Sequence, residues 1–375
     1  MSTDSIYLDW NATTPPHPDV LAAMAGAAAE AWGNPASTHR FGRTARARVE
    51  DTREKLAEIV AVHPRDVLFT SGGTEANNLA LSSATGLALS RLEHPSVTRV
   101  AEQLQAKGVP VAWIPVPQSG RLEPEACREA LAQLPRGSLI AVMAANHETG
   151  VLQPLEAVAL IAHDLGARLH VDAVQALGKL PPETWRFADS LSVAAHKIRG
   201  PKGLGALAFR GSFTPRPVLV GGSQERGLRP GTVDPVAAAG FFAALERAES
   251  GPNRYEALAA LRDDLERTFA SSALVNGAGV PRLPHVSNLS FAEFGGDELV
   301  AALDLLGVCV SSGSACSAGT TEPSPIITAM QGVARARTAV RFSFGESSSE
   351  GELHMVKVAL WRALGLGPTH PSGNG

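Results

Sequence analysis

Cysteine is scarce in this chain, and several other features are missing as well. The 375 residues contain only Cys127, Cys309 and Cys316, which are too few and too irregularly spaced for a disulfide framework or a zinc site. The formal net charge of -4 gives no basic surface of the kind that binds nucleic acid. No apolar stretch reaches the roughly 20 residues of a membrane span, and the first segment is acidic, unlike a secretory signal. We therefore expect a cytoplasmic protein with no nucleic-acid or membrane partner.

Strand-like and helical segments alternate along most of the chain. Val67 to Thr70, Val109 to Val116 and Leu139 to Ala145 have the composition and length of strands, and a helical stretch follows each of them. This alternation predicts an α/β fold with a mostly parallel sheet covered by helices.

The length allows two or three domains. A long helical region from about Pro235 to Phe269 is interrupted by Gly, Pro and Asn at 251–253, and we place the domain boundary there. The prediction is a large domain at 14–251 and a smaller α+β domain formed by 1–13 and 252–375.

Two short apolar runs end in residues with useful chemistry. Asp172 follows the run from Leu169 to Val171, and His196 and Lys197 follow the run from Leu191 to Ala195. If these runs are neighbouring strands, their ends bring an acid and an amine to one crevice, the usual ligand position in such sheets. This pair suits pyridoxal phosphate, which needs an amine to hold it and a carboxylate beside its ring nitrogen. The alternative is a helix-capping aspartate and a lysine in a solvated loop.

A second candidate site lies where the strand ending at Thr70 leads into Ser71-Gly72-Gly73-Thr74-Glu75 and a helix. Unpaired N–H groups and the helix dipole at such a terminus favour an anion. The stretch is neither a GxGxxG nor a Walker A sequence. It suits a single phosphate, and an ordinary helix cap is the alternative.

Cys316 lies in a run of small residues from Ser311 to Thr321. Such a run does not belong in a packed core, so we predict a reactive thiol on a loop that carries it to and from a cofactor. Cys127 and Cys309 lie in helical and apolar contexts and are predicted to be small buried residues.

Arg341 alternates with Val340, Phe342 and Phe344 in a strand pattern. One interpretation is an arginine on the exposed face of a strand. The other is a bidentate clamp on a substrate carboxylate, which the planar guanidinium suits better than a lysine amine.

Taken together, these motifs resemble the cysteine desulfurases, which are fold-type I pyridoxal-phosphate enzymes of the class V aminotransferase group. The matching motifs run in the right order from about Tyr7 to Gly345. They are Tyr7-Leu8-Asp9, Ala12-Thr13-Thr14-Pro15, Gly33-Asn34-Pro35, Thr70-Ser71-Gly72, Thr74-Glu75, Glu93-His94, Asn146, His170-Val171-Asp172, His196-Lys197, Gly200 to Gly203, Glu225-Arg226-Gly227, Arg229, Gly231-Thr232, Ser311 to Cys316 and Arg341-Phe342-Ser343. The resemblance implies a large domain with a mostly parallel seven-stranded sheet and a smaller α+β domain.

The resemblance also implies a role for each site residue. Lys197 would bind pyridoxal 5'-phosphate covalently, Asp172 would pair with its ring nitrogen, and His94 would stack on its ring. Asn146 and Gln175 would contact the ring hydroxyl. The cofactor phosphate would be held by Gly73, Thr74, His196 and, from the partner subunit of a homodimer, Thr232. Arg341 would bind the substrate carboxylate, with Asn146 also near the substrate, and Cys316 would accept the transferred sulfur.

The implied activity is conversion of L-cysteine to L-alanine, with the sulfur transferred to Cys316 as a persulfide. The acceptor would be an iron–sulfur scaffold or another sulfur carrier, serving Fe–S cluster, thio-cofactor or tRNA thiolation pathways. No resident metal is implied, although Cys316 would be placed for a transient contact with an Fe–S cluster.

One residue departs from the family pattern, because Ala194 stands where a serine commonly bonds the cofactor phosphate. Two alternatives stay open. One is a selenocysteine lyase or another class V β-lyase or aminotransferase. The other is a non-catalytic platform for a sulfur-handling partner.

Overall fold

The described part of the chain forms one seven-stranded sheet and two smaller sheets. The structure, a computed structural model, describes residues 5–211, 213–312 and 322–366. The strands in these ranges are β1 (Ile6–Tyr7), β2 (Val67–Thr70), β3 (Leu87–Ser90), β4 (Val111–Ile114), β5 (Leu139–Met143), β6 (Arg168–Asp172), β7 (Ser190–Ala194), β8 (Gly205–Phe209), β9 (Leu274–Val275), β10 (Val286–Ser290), β11 (Val308–Cys309) and β12 (Ala339–Ser343).

Helices flank these strands along most of the chain. In the same ranges they are α1 (Pro18–Glu30), α2 (Arg40–Val60), α3 (Gly73–Leu81), α4 (Pro95–Ala106), α5 (Pro124–Ala132), α6 (Leu155–Asp164), α7 (Pro235–Ala248), α8 (Gly251–Glu256), α9 (Ala259–Thr268), α10 (Gly296–Leu305), α11 (Pro325–Gln331), α12 (Val333–Ala336) and α13 (Glu350–Ala363).

The large sheet has the spatial order β2-β8-β7-β6-β5-β3-β4. Strands β3 to β7 pair in parallel, whereas β8 runs antiparallel to both of its neighbours. Every residue of β5, β7 and β8 is buried, as expected where helices cover a parallel sheet. The predicted α/β fold with a mostly parallel seven-stranded sheet is therefore confirmed.

Strands β6 and β7 are direct neighbours, as the two apolar runs predicted. Asp172 pairs in register with Ser192, and a single 3-10 turn, Ala195–Lys197, follows β7. Because parallel strands end at the same edge of a sheet, Asp172 and Lys197 come to one side of it.

The smaller sheets lie in the part of the chain predicted to form the second domain. Strand β10 pairs antiparallel with β12 and β9, and β1 pairs parallel with β11. A separate apolar cluster unites Ile6 and Leu8 with Phe269, Phe342 and others from the C-terminal part. The division into 14–251 and 1–13 with 252–375 stays a prediction, and this shared cluster supports it.

The helical region around the predicted boundary differs from expectation. One interruption was predicted near 251–253, but these residues begin α8, and the chain breaks at 249–250 between α7 and α8 and again at 257–258 between α8 and α9. Gly251 begins the middle helix, where a Cβ would lie 2.0 Å from the carbonyl oxygen of Gly178. This close approach of two backbone segments requires glycine.

The last helix follows its local sequence closely. Ser349 and Glu352 form the predicted capping box, and Leu353, Val356 and Leu360 share the buried face. Reciprocal capping and apolar spacing of this kind are local signals, which explains why the prediction succeeded.

Among the described residues, none of the helices combines the length and the apolar character that crossing a membrane requires.

Candidate active site

A cavity of about 750 Å³ opens at the carboxyl ends of β5, β6 and β7. This volume is typical of pockets that hold a cofactor. Its lining includes most of the site residues proposed from the sequence, namely Gly73, Thr74, His94, Asp172, Gln175, His196, Lys197 and Arg341. Residues from distant parts of the chain thus come together in one place.

Lys197 ends the turn after β7 and reaches toward the N-terminal segment. Its Nζ donates hydrogen bonds to the carbonyl oxygens of Asn11 and Ala12, the latter at 2.7 Å. The lysine is therefore not a solvated loop residue, because its amine is held against backbone oxygens in the cavity wall.

Asp172 presents a carboxylate that is held on both oxygens. Oδ1 accepts the backbone N–H of Val174 at 3.0 Å, and Oδ2 accepts the Asn77 amide at 2.8 Å. The first contact closes a turn and not a helix, because residues 174–179 form turns. The helix-capping interpretation is therefore wrong, and Asp172 lines the cavity.

His94 caps helix α4 and lies in the cavity wall. Its Nδ1 is 3.1 Å from the backbone N–H of Ser96 and 2.8 Å from the Ser96 hydroxyl. The ring meets that of His147 edge to face, with centroids 5.4 Å apart. Burial lowers the pKa of His94, although the nearby Asp172 carboxylate opposes this.

The predicted phosphate end is built from the start of α3 and the turn after β7. Helix α3 begins at Gly73, where a Cβ would lie 2.6 Å from a methyl group of Val174. His196 lies opposite, with its Nδ1 3.0 Å from the Thr13 hydroxyl. Burial and the positive charge of Lys197 lower the pKa of His196 to about 4, so this ring is neutral near pH 7.

The two residues predicted to face the ring hydroxyl differ in position. Gln175 lines the cavity, and its amide donates to the carbonyl oxygen of Asn11 at 2.9 Å. The described residues that line the cavity do not include Asn146. Its carboxamide donates to the carbonyl oxygen of Leu92 and accepts the backbone N–H groups of Glu148 and Thr149. The role of Asn146 stays a prediction.

Arg341 is buried, so the exposed-strand interpretation is wrong. Its Nη2 pairs with Asp9 Oδ1 at 2.5 Å, and its Nη1 donates to the carbonyl oxygen of His147 at 3.1 Å. Its Nε has no hydrogen-bond partner in the part of the chain that the structure describes. A guanidinium held in this way at a cavity can bind a carboxylate.

Glu148 also lines the cavity and is fully buried. It accepts a 2.6 Å hydrogen bond from the hydroxyl of Ser324. Burial raises the pKa of Glu148 to about 7, although Ser324 and Arg341 oppose this.

Thr232 is not among the residues that line the cavity. Thr232 is exposed, as is most of the loop around it, and its predicted contact belongs to a partner subunit. Cys316 lies outside the described residues. The neighbouring residues on both sides are placed: Ser311 pairs with Arg341 through backbone hydrogen bonds, and Glu322 lines the cavity. Cys309 is only half-buried, whereas burial was predicted, and its thiol faces Asp304 Oδ1 at 3.7 Å.

Sequence reasoning missed several buried polar residues of the site. The backbone oxygen of Asn11 accepts hydrogen bonds from Lys197 and Gln175. The Asn11 side chain contacts the carbonyl oxygen of His147 and the ring of His285. Asn77 holds Asp172. Sequence offered one signal for Asn77, which is a polar residue among the buried apolar residues Ala76, Leu79 and Ala80 of a short helix. A buried amide needs hydrogen-bond partners.

These residues fit pyridoxal 5'-phosphate. The amine of Lys197, the acceptor carboxylate of Asp172 and the imidazole of His94 line one cavity. At the start of α3, Gly73 and Thr74 line the cavity, and the N–H groups of a helix start favour a phosphate. There is no room for a side chain at Gly73, because a Cβ would lie 2.6 Å from a Val174 methyl group. Ala194, also in the lining, supplies no hydroxyl group.

The chain is similar to known proteins along nearly its whole length. Residues 6–356 match the family Aminotransferase class-V. A cysteine desulfurase of Cereibacter sphaeroides is 41% identical over 371 residues, which cover 95% of each chain. A solved NifS-like protein is 30% identical with a TM-score of 0.86, covering 96% of this chain and 99% of that one. SspA in complex with cysteine is 28% identical with a TM-score of 0.78, covering 92% of this chain and 100% of that one.

These similarities confirm what the sequence motifs implied about the family and its cofactor. Enzymes of this family and of the desulfurase group depend on pyridoxal 5'-phosphate, and the cavity holds the residues that suit it. The chain is therefore a member of the class V aminotransferase family and, within it, of the cysteine desulfurases.

Proposed function

We propose that this enzyme converts L-cysteine to L-alanine in the cavity between Lys197, Asp172 and Arg341, and that it transfers the sulfur to Cys316. The observation that carries this assignment is that an amine, a carboxylate, an imidazole and a buried guanidinium line one cavity. When bound, pyridoxal 5'-phosphate withdraws electrons from the substrate α-carbon.

Each residue then has a separate task. Arg341 binds the substrate carboxylate through its guanidinium. The amine of Lys197 takes the α-proton. The thiolate of Cys316 attacks the substrate sulfur: an S–S bond forms, the bond from sulfur to the β-carbon breaks, and that carbon keeps the electron pair and takes a proton. The products are alanine and a persulfide on Cys316.

The position of the segment on either side of Cys316 supports its role. Arg341 and Ser311 exchange backbone hydrogen bonds, and Glu322 and Pro323 lie in the cavity lining. The described residues that flank Cys316 in the chain are therefore paired with Arg341 on one side and in the cavity lining on the other.

The test uses the purified holoenzyme with L-cysteine. Cys316→Ser should retain the visible absorbance of the cofactor and its change on addition of cysteine, but should release no sulfide or alanine. Cys309→Ser is the matched control and should behave as the wild type. Full activity of Cys316→Ser would exclude the covalent sulfur step, and a wild type active only with selenocysteine would indicate the lyase alternative.

We also propose that the enzyme is a homodimer in which Thr232 completes the partner's site. Thr232 is exposed, and so are the apolar side chains of Val218, Leu219 and Val220 that precede its loop. Exposed apolar side chains close together in a chain are typical of a protein interface.

Subunit mixing tests this arrangement. A heterodimer of a Lys197→Ala subunit and a Thr232→Ala subunit contains one intact site if Thr232 acts across the interface, so about half of the wild-type activity should return. If Thr232 acts within its own subunit, both sites are damaged and no activity returns.

The proposed sulfur acceptor is an iron–sulfur scaffold or another sulfur carrier, and the proposed location is the cytoplasm. The argument for such an acceptor is chemical, because a persulfide has to pass its outer sulfur to another thiol or thiolate. Pull-down from cell extract with the persulfidated enzyme, compared with Cys316→Ser, tests for such an acceptor.

A further inference from the structure

A chain of hydrogen bonds passes beneath the cavity from Asp172 to His94. The Asn77 amide nitrogen donates to Asp172 Oδ2 and to the Ser96 hydroxyl oxygen, both at 2.8 Å. The Ser96 hydroxyl is in turn 2.8 Å from His94 Nδ1. Asn77 is 1% exposed and Ser96 is 7% exposed, so water does not compete freely for these contacts.

The orientation of the Asn77 amide is determined by its neighbours. A carboxylate oxygen can only accept, so the Asn77 atom facing Asp172 must be the NH₂ group. The Asn77 oxygen then faces His170 Nε2 at 3.1 Å, and His170 Nδ1 faces the Ser190 hydroxyl at 2.9 Å. Burial lowers the pKa of His170 to about 3, so its single ring proton lies on Nε2 and is donated to Asn77.

The direction of the remaining bonds follows. Because the Ser96 oxygen accepts from Asn77, its own proton is available for His94 Nδ1. The backbone N–H of Ser96 also points to that nitrogen at 3.1 Å, and a backbone N–H can only donate. Two donors therefore meet at Nδ1, which leaves no place for a proton there.

We infer that Asn77 and Ser96 are positioning residues that hold His94 in the tautomer protonated at Nε2. In this state His94 can donate a hydrogen bond through Nε2, but it cannot take up a second proton without breaking both contacts at Nδ1. If the enzyme has the proposed function, Lys197 is therefore the base that removes the substrate α-proton, an assignment that rests on that function.

The charges around the ring are consistent with this state. Among the described residues, the titratable groups that face His94 include Asp172, Lys197 and His147, and Glu93 precedes it in the chain. The Asp172 carboxylate favours a positive imidazole, whereas Lys197 and burial oppose it. The hydrogen bonds at Nδ1 also oppose protonation of the His94 ring, as Lys197 does.

The test is a long-range ¹H–¹⁵N correlation spectrum of the holoenzyme with ¹⁵N-labelled histidine, repeated without the cofactor. The His94 signals are identified by their loss in His94→Gln. The wild type should show one protonated ring nitrogen, Nε2, between about pH 6 and about pH 9.

Asn77→Leu removes the donor that orients Ser96, and Ser96→Ala, a milder change, removes the hydroxyl. In both variants the backbone N–H of residue 96 still donates to Nδ1, so the Nδ1 resonance should shift and the share of the Nδ1-protonated tautomer should rise. kcat should fall by up to about tenfold, as for one hydrogen bond, with little change in KM. Asn78→Leu, on the neighbouring and more exposed side of α3, is the matched control and should leave the spectrum unchanged.

A proton on Nδ1 of the wild type at neutral pH would overturn the inference. So would unchanged His94 spectra in both folded variants, even if their kcat falls, because that result indicates a purely structural role. Absence of desulfurase activity in the wild type would refute the proposed function while leaving the tautomer assignment standing on its spectrum.

Discussion

Replacing Glu148 by glutamine should make the enzyme more stable above neutral pH. Glu148 is fully buried, and burial raises the pKa of its carboxyl from 4.5 to about 7. Between these two values the folded protein binds a proton that the unfolded chain has released. The free energy of unfolding of the wild type therefore falls as the pH rises through this window, and the loss is complete above about pH 7.

The size of the effect follows from the separation of the two pKa values. At about 1.4 kcal/mol per pH unit, the carboxyl costs the folded wild type about 3 kcal/mol above neutrality. Glu148→Gln cannot ionise, and its amide oxygen can still accept the hydrogen bond from Ser324. The variant should exceed the wild type in stability by about 1 kcal/mol or less near pH 5 and by about 3 kcal/mol near pH 8.

Equilibrium urea unfolding of the holoenzymes, followed by far-UV circular dichroism from about pH 5 to about pH 8, measures this difference. Glu156→Gln, an exposed position on α6, controls for the loss of one negative charge. A difference between Glu148→Gln and wild type that does not change with pH would refute the reasoning, as would a variant less stable than wild type at the alkaline end.

Three further predictions follow from other contacts. Gly73→Ala places a methyl group 2.6 Å from a valine side chain, so cofactor affinity in an absorbance titration should fall at least about tenfold; Gly26→Ala, with nothing within 4 Å of its new methyl, should keep it. Burial holds the pKa of Lys179 well below its usual range, so the folded wild type binds fewer protons than the unfolded chain. Lys179→Met should be at least as stable as the wild type at neutral pH by urea unfolding, and its stability advantage should shrink as the pH rises. An advantage that grows with pH would contradict the prediction. Asp9→Asn leaves the buried Arg341 without its ion-pair partner and should cost about 1–3 kcal/mol in the same assay, and an unchanged midpoint would count against the pair.

The parts of the site that local sequence predicts are the strand ends. Asp172 and Lys197 each end a short, mostly apolar run, so their strands and the edge at which they meet follow from composition. The start of α3 at Gly73 was visible for a similar reason, because glycine and threonine between a strand and a helix are a local signal.

The parts that sequence could not give depend on partners far away in the chain. The alternation around Arg341 suggested an exposed face, but the N-terminal segment covers that face and supplies Asp9, 332 residues away. Asn77 likewise gains its meaning from Asp172, 95 residues later. Gly251 begins α8 against the backbone of Gly178, a residue distant in the chain, and no local pattern encodes this contact.

Asn11 joins the two ends of the chain to the catalytic lysine, and this has a consequence for biosynthesis. Its backbone oxygen accepts Lys197, while its backbone N–H donates to the Ser343 hydroxyl, 332 positions later. Contacts between residues so far apart in sequence form late in folding, and this one requires that the strand containing Ser343 has already been synthesised. A nascent chain on the ribosome therefore completes this wall of the pocket only when nearly all of its residues have emerged, so loading with vitamin B6 should be a post-translational event.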